Sequence, residues 1–140
     1  MRRFWSYSCD RHRPGSNTGI RLKKTIVPID TLALADRRTR LASVLGPGIA
    51  ILPTAPERVR NRDAHYGYRF DSYFYYLTAF PEPEAVLVLT GGEAPRSVLF
   101  CRERNPEREI WEGFRHGPVA ARERFGFDEA LPIEMQDEVV

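Results

Sequence analysis

Two short apolar runs constrain this chain more than any other feature. Ala85–Thr90 (AVLVLT) and Arg96–Arg102 (RSVLFCR) are built from Val, Leu and Phe, and the segment between them begins with Gly91-Gly92. Runs of this kind on either side of a glycine turn predict an antiparallel β-hairpin. Upstream, Asp30 or Thr31 can cap a helix whose apolar positions Leu32, Leu34, Ala35, Leu41, Val44 and Leu45 recur near helical spacing, and Gly46-Pro47-Gly48 stops it. Gly48–Leu52 then reads as a short buried strand. In Asp71–Phe80 (DSYFYYLTAF) the aromatics suit a strand, but Asp71 or Ser72 offers an N-cap, and a short helix is the reading adopted. Pro118 and Gly126 bracket a further helix, Val119–Phe125. An extended piece around Leu131–Ile133 precedes the acidic stretch Glu134–Val140. Helices and strands in mixture with one antiparallel pair predict an α/β layer fold with a mixed sheet.

The 140 residues suffice for one domain burying about two-thirds of its unfolded surface, and 42% hydrophobic content argues against wholesale disorder. No apolar run approaches the ~20 residues of a membrane span. Two cysteines, Cys9 and Cys101, are too few for a disulfide framework and suit a reducing compartment, so a cytoplasmic location is expected. The net charge of +2 conceals an uneven split. Residues 1–24 hold seven basic side chains against Asp10 alone, whereas the rest holds fourteen arginines against eighteen acids. Residues 1–29 are therefore read as a basic, disordered leader and 30–140 as the domain. The leader has no apolar stretch of secretory type, and Pro14, Gly15 and Gly19 interrupt any amphipathic presequence helix.

Candidate chemistry is sparse. His12, His65 and His116 are scattered without an HExxH or CxxC pattern, and there is no GxSxG or phosphate loop. Cys101 within a strand reads as a small buried hydrophobe. Glu82, Glu84, Glu107, Glu109 and Glu112 supply carboxylates that a charged loop face explains as well as acid–base work does. Two loops stand out: the polar segment Pro53–Arg69, long and without periodicity, and Glu109-Ile110-Trp111-Glu112-Gly113. A tryptophan between acids and next to glycine is either half-buried in the core or an anchor presented to a partner or ligand.

Several motifs occur in an order that resembles a known family, the N-terminal domain of Xaa-Pro aminopeptidases (aminopeptidase P), relatives of prolidase and creatinase. They are LGPGIAILPTAPERVRNRDAHYGYRFDSYFYYLTAF, the adjoining PEPEAVLVL, SVLFCRERNPEREIWEG and FGFDEALPI, spanning about Arg37 to Ile133. Tyr73 and Ala79 stand where the family usually has Asp and Gly. The resemblance implies a three-layer α/β/α domain with a mixed sheet and a ribonuclease H-like motif. It implies a parent enzyme that releases the residue preceding proline. Two divalent ions, usually manganese, are held there by two Asp, one His and two Glu of a separate C-terminal domain. No residue of this chain is matched to that set, so no catalytic or metal-binding residue is assigned here and the 140 residues are expected to be inactive alone. Two substrate-side residues carry over: Trp111 of the IW-x-G motif and Asp63 of the polar loop. An aromatic wall suits a prolyl ring, and a carboxylate can orient a basic neighbour.

The resemblance further implies a domain that narrows access to the active site and contributes oligomer contacts, with peptide substrate and copies of the parent as partners, and with neither membrane nor nucleic acid. The competing reading is a small nucleic-acid module using the Arg-rich leader and the aromatic YGYRFDSYFYY stretch. The acidic body opposes it. A nuclease reading rests on the ribonuclease H-like label alone, which does not supply function.

Overall fold

The computed structural model describes residues 28–62 and 64–139. The expectations for the leader therefore fall, up to residue 27, outside the description, and so does Asp63, while Ile29 at the leader's expected end packs against the core. The predicted hairpin forms: β4 (Val86–Thr90) and β5 (Arg96–Cys101) pair antiparallel, with Val88 opposite Val98. β1 (Ile49–Pro53) pairs antiparallel on the other side of β4, and β6 (Glu129–Pro132) runs parallel to β5. The sheet order β1-β4-β5-β6 is thus mixed. Between β1 and β4 lie a two-stranded ribbon, β2 (Val59–Asn61) with β3 (Ala64–His65), and α2 (Ser72–Thr78). α1 (Thr31–Leu45) precedes β1, while α3 (Pro106–Glu112) and α4 (Gly117–Phe125) separate β5 from β6. A 3-10 turn, Ile133–Met135, leads into α5 (Gln136–Val139).

The two sheet faces are unequal. Leu87, Leu89, Leu99 and Cys101 pack with Phe74 and Leu77 of α2, Ala121 and Phe125 of α4, and Leu41 and Leu45 of α1. Val86, Val88 and Phe100 face the other way, with Val98, Leu131 and Ile133 against them. Of the expected three layers, the described residues form the sheet and the helical layer on its first face. On the second face Ile133 of the 3-10 turn packs against Val86, Val88 and Phe100.

Local chemistry sets the helix ends. The Asp30 carboxylate accepts from the Ala33 amide at 3.0 Å, and Asp71 accepts from Tyr73 and Phe74, both at 2.9 Å. Ala79 ends α2 in the left-handed region at φ 52°, a backbone conformation that favours glycine. On α1 the buried stripe is Leu34, Arg38 and Ala42, whereas Leu32 and Val44, expected on the apolar face, point to solvent. Arg38 donates to the carbonyls of Leu77 (3.1 Å) and Gly126, tying α1 to the ends of α2 and α4. Burial lowers its pKa, and the nearby Asp128 charge opposes that shift.

Three expectations need correction. Gly48–Leu52 was expected as a buried strand, but β1 is an edge strand; Ile49 and Ile51 share the face of Val88, where little covers them, and are exposed. The polar segment is not wholly irregular, because β2 and β3 pair within it, with a register shift between Val59 and Asn61. The residues around Trp111 form a helix, not the loop expected from the sequence. Its start signals are all local: the Asn105 side chain accepts from the Arg108 amide at 3.1 Å, Pro106 opens the first turn, and Glu107 and Glu109 sit at its positive end.

Candidate functional site

Trp111 lies in the C-terminal half of α3, a helix with no buried residue. The indole is 88% exposed, and Ile110 and Phe114 beside it are 76% and 61% exposed. Of the two readings the sequence left open, the core position is excluded. Three large apolar side chains in solvent within five residues form an informative surface feature, because scattered single exposures are ordinary and clustered ones are not.

The chain leaves the sheet after β5, makes α3 and returns at α4. The excursion closes on itself at its base, where a Cβ placed on Gly117 (φ 72°) would come within 3.2 Å of the Arg104 Cβ. Gly117 thus allows both the backbone angle and the close approach. Within the excursion, Arg104 pairs with Glu109 (3.5 Å) and Arg115 with Glu112. Arg115 is itself buried at the base, and Phe114 and His116 meet edge to face at 4.9 Å between ring centroids.

His116, immediately before α4, is the best-anchored residue of this base. Its backbone N–H donates to Glu82 Oε1 at 2.8 Å, and its ring Nδ1 meets the same oxygen. The ring also packs against Phe80 and Phe125. Glu82 is 6% exposed, between Pro81 and Pro83 in the turn that leads to β4. Its other oxygen, Oε2, has no hydrogen-bond partner, nor do the buried Nε atoms of Arg102 and Arg115.

The polar segment reaches the same residue from the other side. Tyr68 Oη shares a hydrogen bond with the Thr54 hydroxyl at 2.7 Å and donates to the backbone carbonyl of Glu82 at 3.4 Å. Burial raises the Tyr68 pKa, and the Thr54 bond opposes it. A shallow depression of about 360 Å³ lies between Pro56, Arg58, Tyr66, Tyr68 and Asp71. Among the described residues, no hydrogen bond or ion pair joins α3 to β2 or β3 directly. Among the described residues, hydrogen bonds from both regions meet at Glu82, which in the sequence is one of several loop carboxylates.

Other candidates resolve into structural roles. Cys101 is fully buried, and burial, with the Glu82 charge adding, pushes its thiol up to about 12, so it carries no thiolate near neutral pH. Asp128 accepts from the Ser97 N–H (2.7 Å) and hydroxyl (2.6 Å). Burial would raise its pKa, but those bonds and the charges of Arg38 and Arg96 hold it below the usual range. Among the described residues no three His, Cys, Asp or Glu side chains are grouped as a metal ion requires.

The family model for the aminopeptidase P N-terminal domain matches residues 34–140. The chain belongs to this family. It is 47% identical over 98 residues to the Xaa-Pro aminopeptidase of Escherichia coli, covering 68% of this chain and 22% of that protein. It is 41% identical over 101 residues to the Xaa-Pro aminopeptidase of Haemophilus influenzae, covering 71% and 24%. Among solved structures, E. coli aminopeptidase P with the inhibitor Pro-Leu superposes with a TM-score of 0.75 at 40% identity, covering 81% of this chain and 26% of that one. The chain thus spans about a quarter of the length of these aminopeptidase P relatives. The α/β fold with its mixed sheet is that of the aminopeptidase P N-terminal domain, and the matches give the nucleic-acid reading no support. No helix among the described residues is long and apolar enough to cross a membrane.

Proposed function

We propose that this chain serves as the non-catalytic N-terminal domain of a manganese-dependent Xaa-Pro aminopeptidase of the cytoplasm, which releases the residue preceding proline, and that it shapes peptide access and oligomer contacts in that enzyme. Trp111 is the residue that meets the peptide, with Asp63 in the polar segment orienting a basic neighbour. The observation that carries this reading is the solvent exposure of Trp111 on a helix that the core does not need. An exposed indole offers a flat apolar face to a prolyl ring, and covering it removes apolar surface from water at about 25 cal/mol per Å². The metal ions would supply the hydrolytic chemistry from other parts of the enzyme; this domain binds, orients and restricts.

The test is Trp111→Ala in the peptidase that carries this domain. Turnover of Xaa-Pro peptides per folded molecule is expected to fall about tenfold in kcat/KM, equivalent to roughly 1.4 kcal/mol of lost contact. Unchanged turnover with an intact fold would end the peptide-facing role of Trp111.

A further inference from the structure

We propose that Glu82 and His116 are positioning residues for Trp111: one buried carboxylate holds the base of the 105–116 excursion and so fixes the orientation in which α3 presents the indole. This deepens the peptide-facing reading of Trp111 and rests on it. Glu109 is the one α3 side chain largely withdrawn from solvent, and its partner Arg104 stands at the base of the excursion, so the placement of α3 is decided where the excursion joins the body. At that junction the His116 backbone N–H and ring Nδ1 converge on Glu82 Oε1. His116 has no side-chain capping bond of its own to α4. Glu82 therefore does from 34 residues away what the third helical residue does in a capping box, accepting the N-cap amide and setting negative charge at the positive helix end. The His116 ring is wedged among Phe80, Phe114 and Phe125, so it links the excursion to a core residue on each side of it.

Glu82 cannot drift, because Pro81 and Pro83 restrict the backbone around it and Tyr68 holds its carbonyl. Through Tyr68 the same residue fixes the polar segment relative to the excursion. A carboxylate that is 94% buried is costly unless its partners are in place. Serving only as one helix cap would not require it to be so enclosed.

The experiment is backbone ¹⁵N relaxation on the 140-residue chain, comparing the wild type with Glu82→Leu, His116→Leu and His116→Asn. His116→Leu keeps apolar bulk against Phe80 and Phe125 but removes the ring donor, and Asn restores a donor near the Nδ1 position. In the wild type, order parameters of residues 109–113 are expected near the rigid value of about 0.85. In both Leu variants they are expected to fall below about 0.6 while β4 and β5 stay rigid, with His116→Asn recovering most of the loss. Residues 109–113 already flexible in the wild type, or rigid in every variant, would overturn the proposal. A loss shared equally by β4 and β5 would also overturn it, by making the pair a general stabiliser. Should Glu82→Leu not fold, His116→Leu against His116→Asn still decides the matter. None of these readouts involves peptide, so a failure here is distinct from a failure of Trp111→Ala to affect turnover.

Discussion

The β4–β5 hairpin and the α3 excursion are separated along the chain only by residues 102–105, yet they are held in opposite ways. Leu87, Leu89, Leu99, Phe100 and Cys101 are almost wholly removed from solvent, while α3 has no fully buried residue and withdraws only the Glu109 side chain. The hairpin derives its stability from burial on both faces, the term that dominates folding. The helix relies on a cap, a proline, a glycine stop and side-chain ion pairs, which contribute a few tenths of a kcal/mol to about 1 kcal/mol each. A stretch with so little burial is free to carry an exposed indole at little cost to the fold, and it must then be aimed by its anchor points.

The sharpest way to break this comparison is to cut into both sides. Phe100→Ala removes a fully buried ring from the second sheet face and is expected to cost about 3–5 kcal/mol in denaturant unfolding, whereas Ile110→Ala on α3 is expected to change stability by no more than about 0.5 kcal/mol. Equal losses would dissolve the distinction. A smaller effect of opposite sign is expected at the end of α2, where Ala79→Gly relieves a left-handed alanine and should raise stability by about 0.5–1 kcal/mol. Smaller again is the acid response of Asp128. Its carboxyl is held below the ordinary 3.8, so its contribution is present above that pH and is lost as pH falls further through the folded value. Unfolding midpoints measured from pH 6 to pH 2 should therefore decline less in Asp128→Asn than in the wild type. A parallel decline would show that the Ser97 bonds contribute nothing to the β5–β6 side.

Much of the fold was legible because burial writes a pattern. The hairpin strands announce themselves by continuous Val, Leu and Phe, and α1, α2 and α4 by their caps and stops. What was missed shares one cause. α3 buries no face and so has no apolar period, although Asn105-Pro106-Glu107 is a helix start signal that could have been read. β1 was expected to be buried because GIAIL is apolar, and nothing local says that Ile49 and Ile51 lie on the poorly covered face. Arg38 hides in the buried stripe of α1 because its partners, the Leu77 and Gly126 carbonyls, are far off in sequence. Glu82 has the same problem: its role depends on His116, and only the folded chain brings them together. Trp111 was legible as unusual but not as exposed. Ala79 was legible as a departure from the family pattern, and its φ of 52° is a backbone conformation that favours glycine.

Trp111 on α3 is surplus to the fold, which leaves it free for the peptide-facing role proposed above. The most direct test of this is the unfolding free energy of Trp111→Ala in this chain, by denaturant titration followed through far-UV circular dichroism. With the indole 88% exposed, the change is expected to stay within about 0.5 kcal/mol of wild type. A loss of about 3 kcal/mol or more, the cost of emptying a core position, would contradict it.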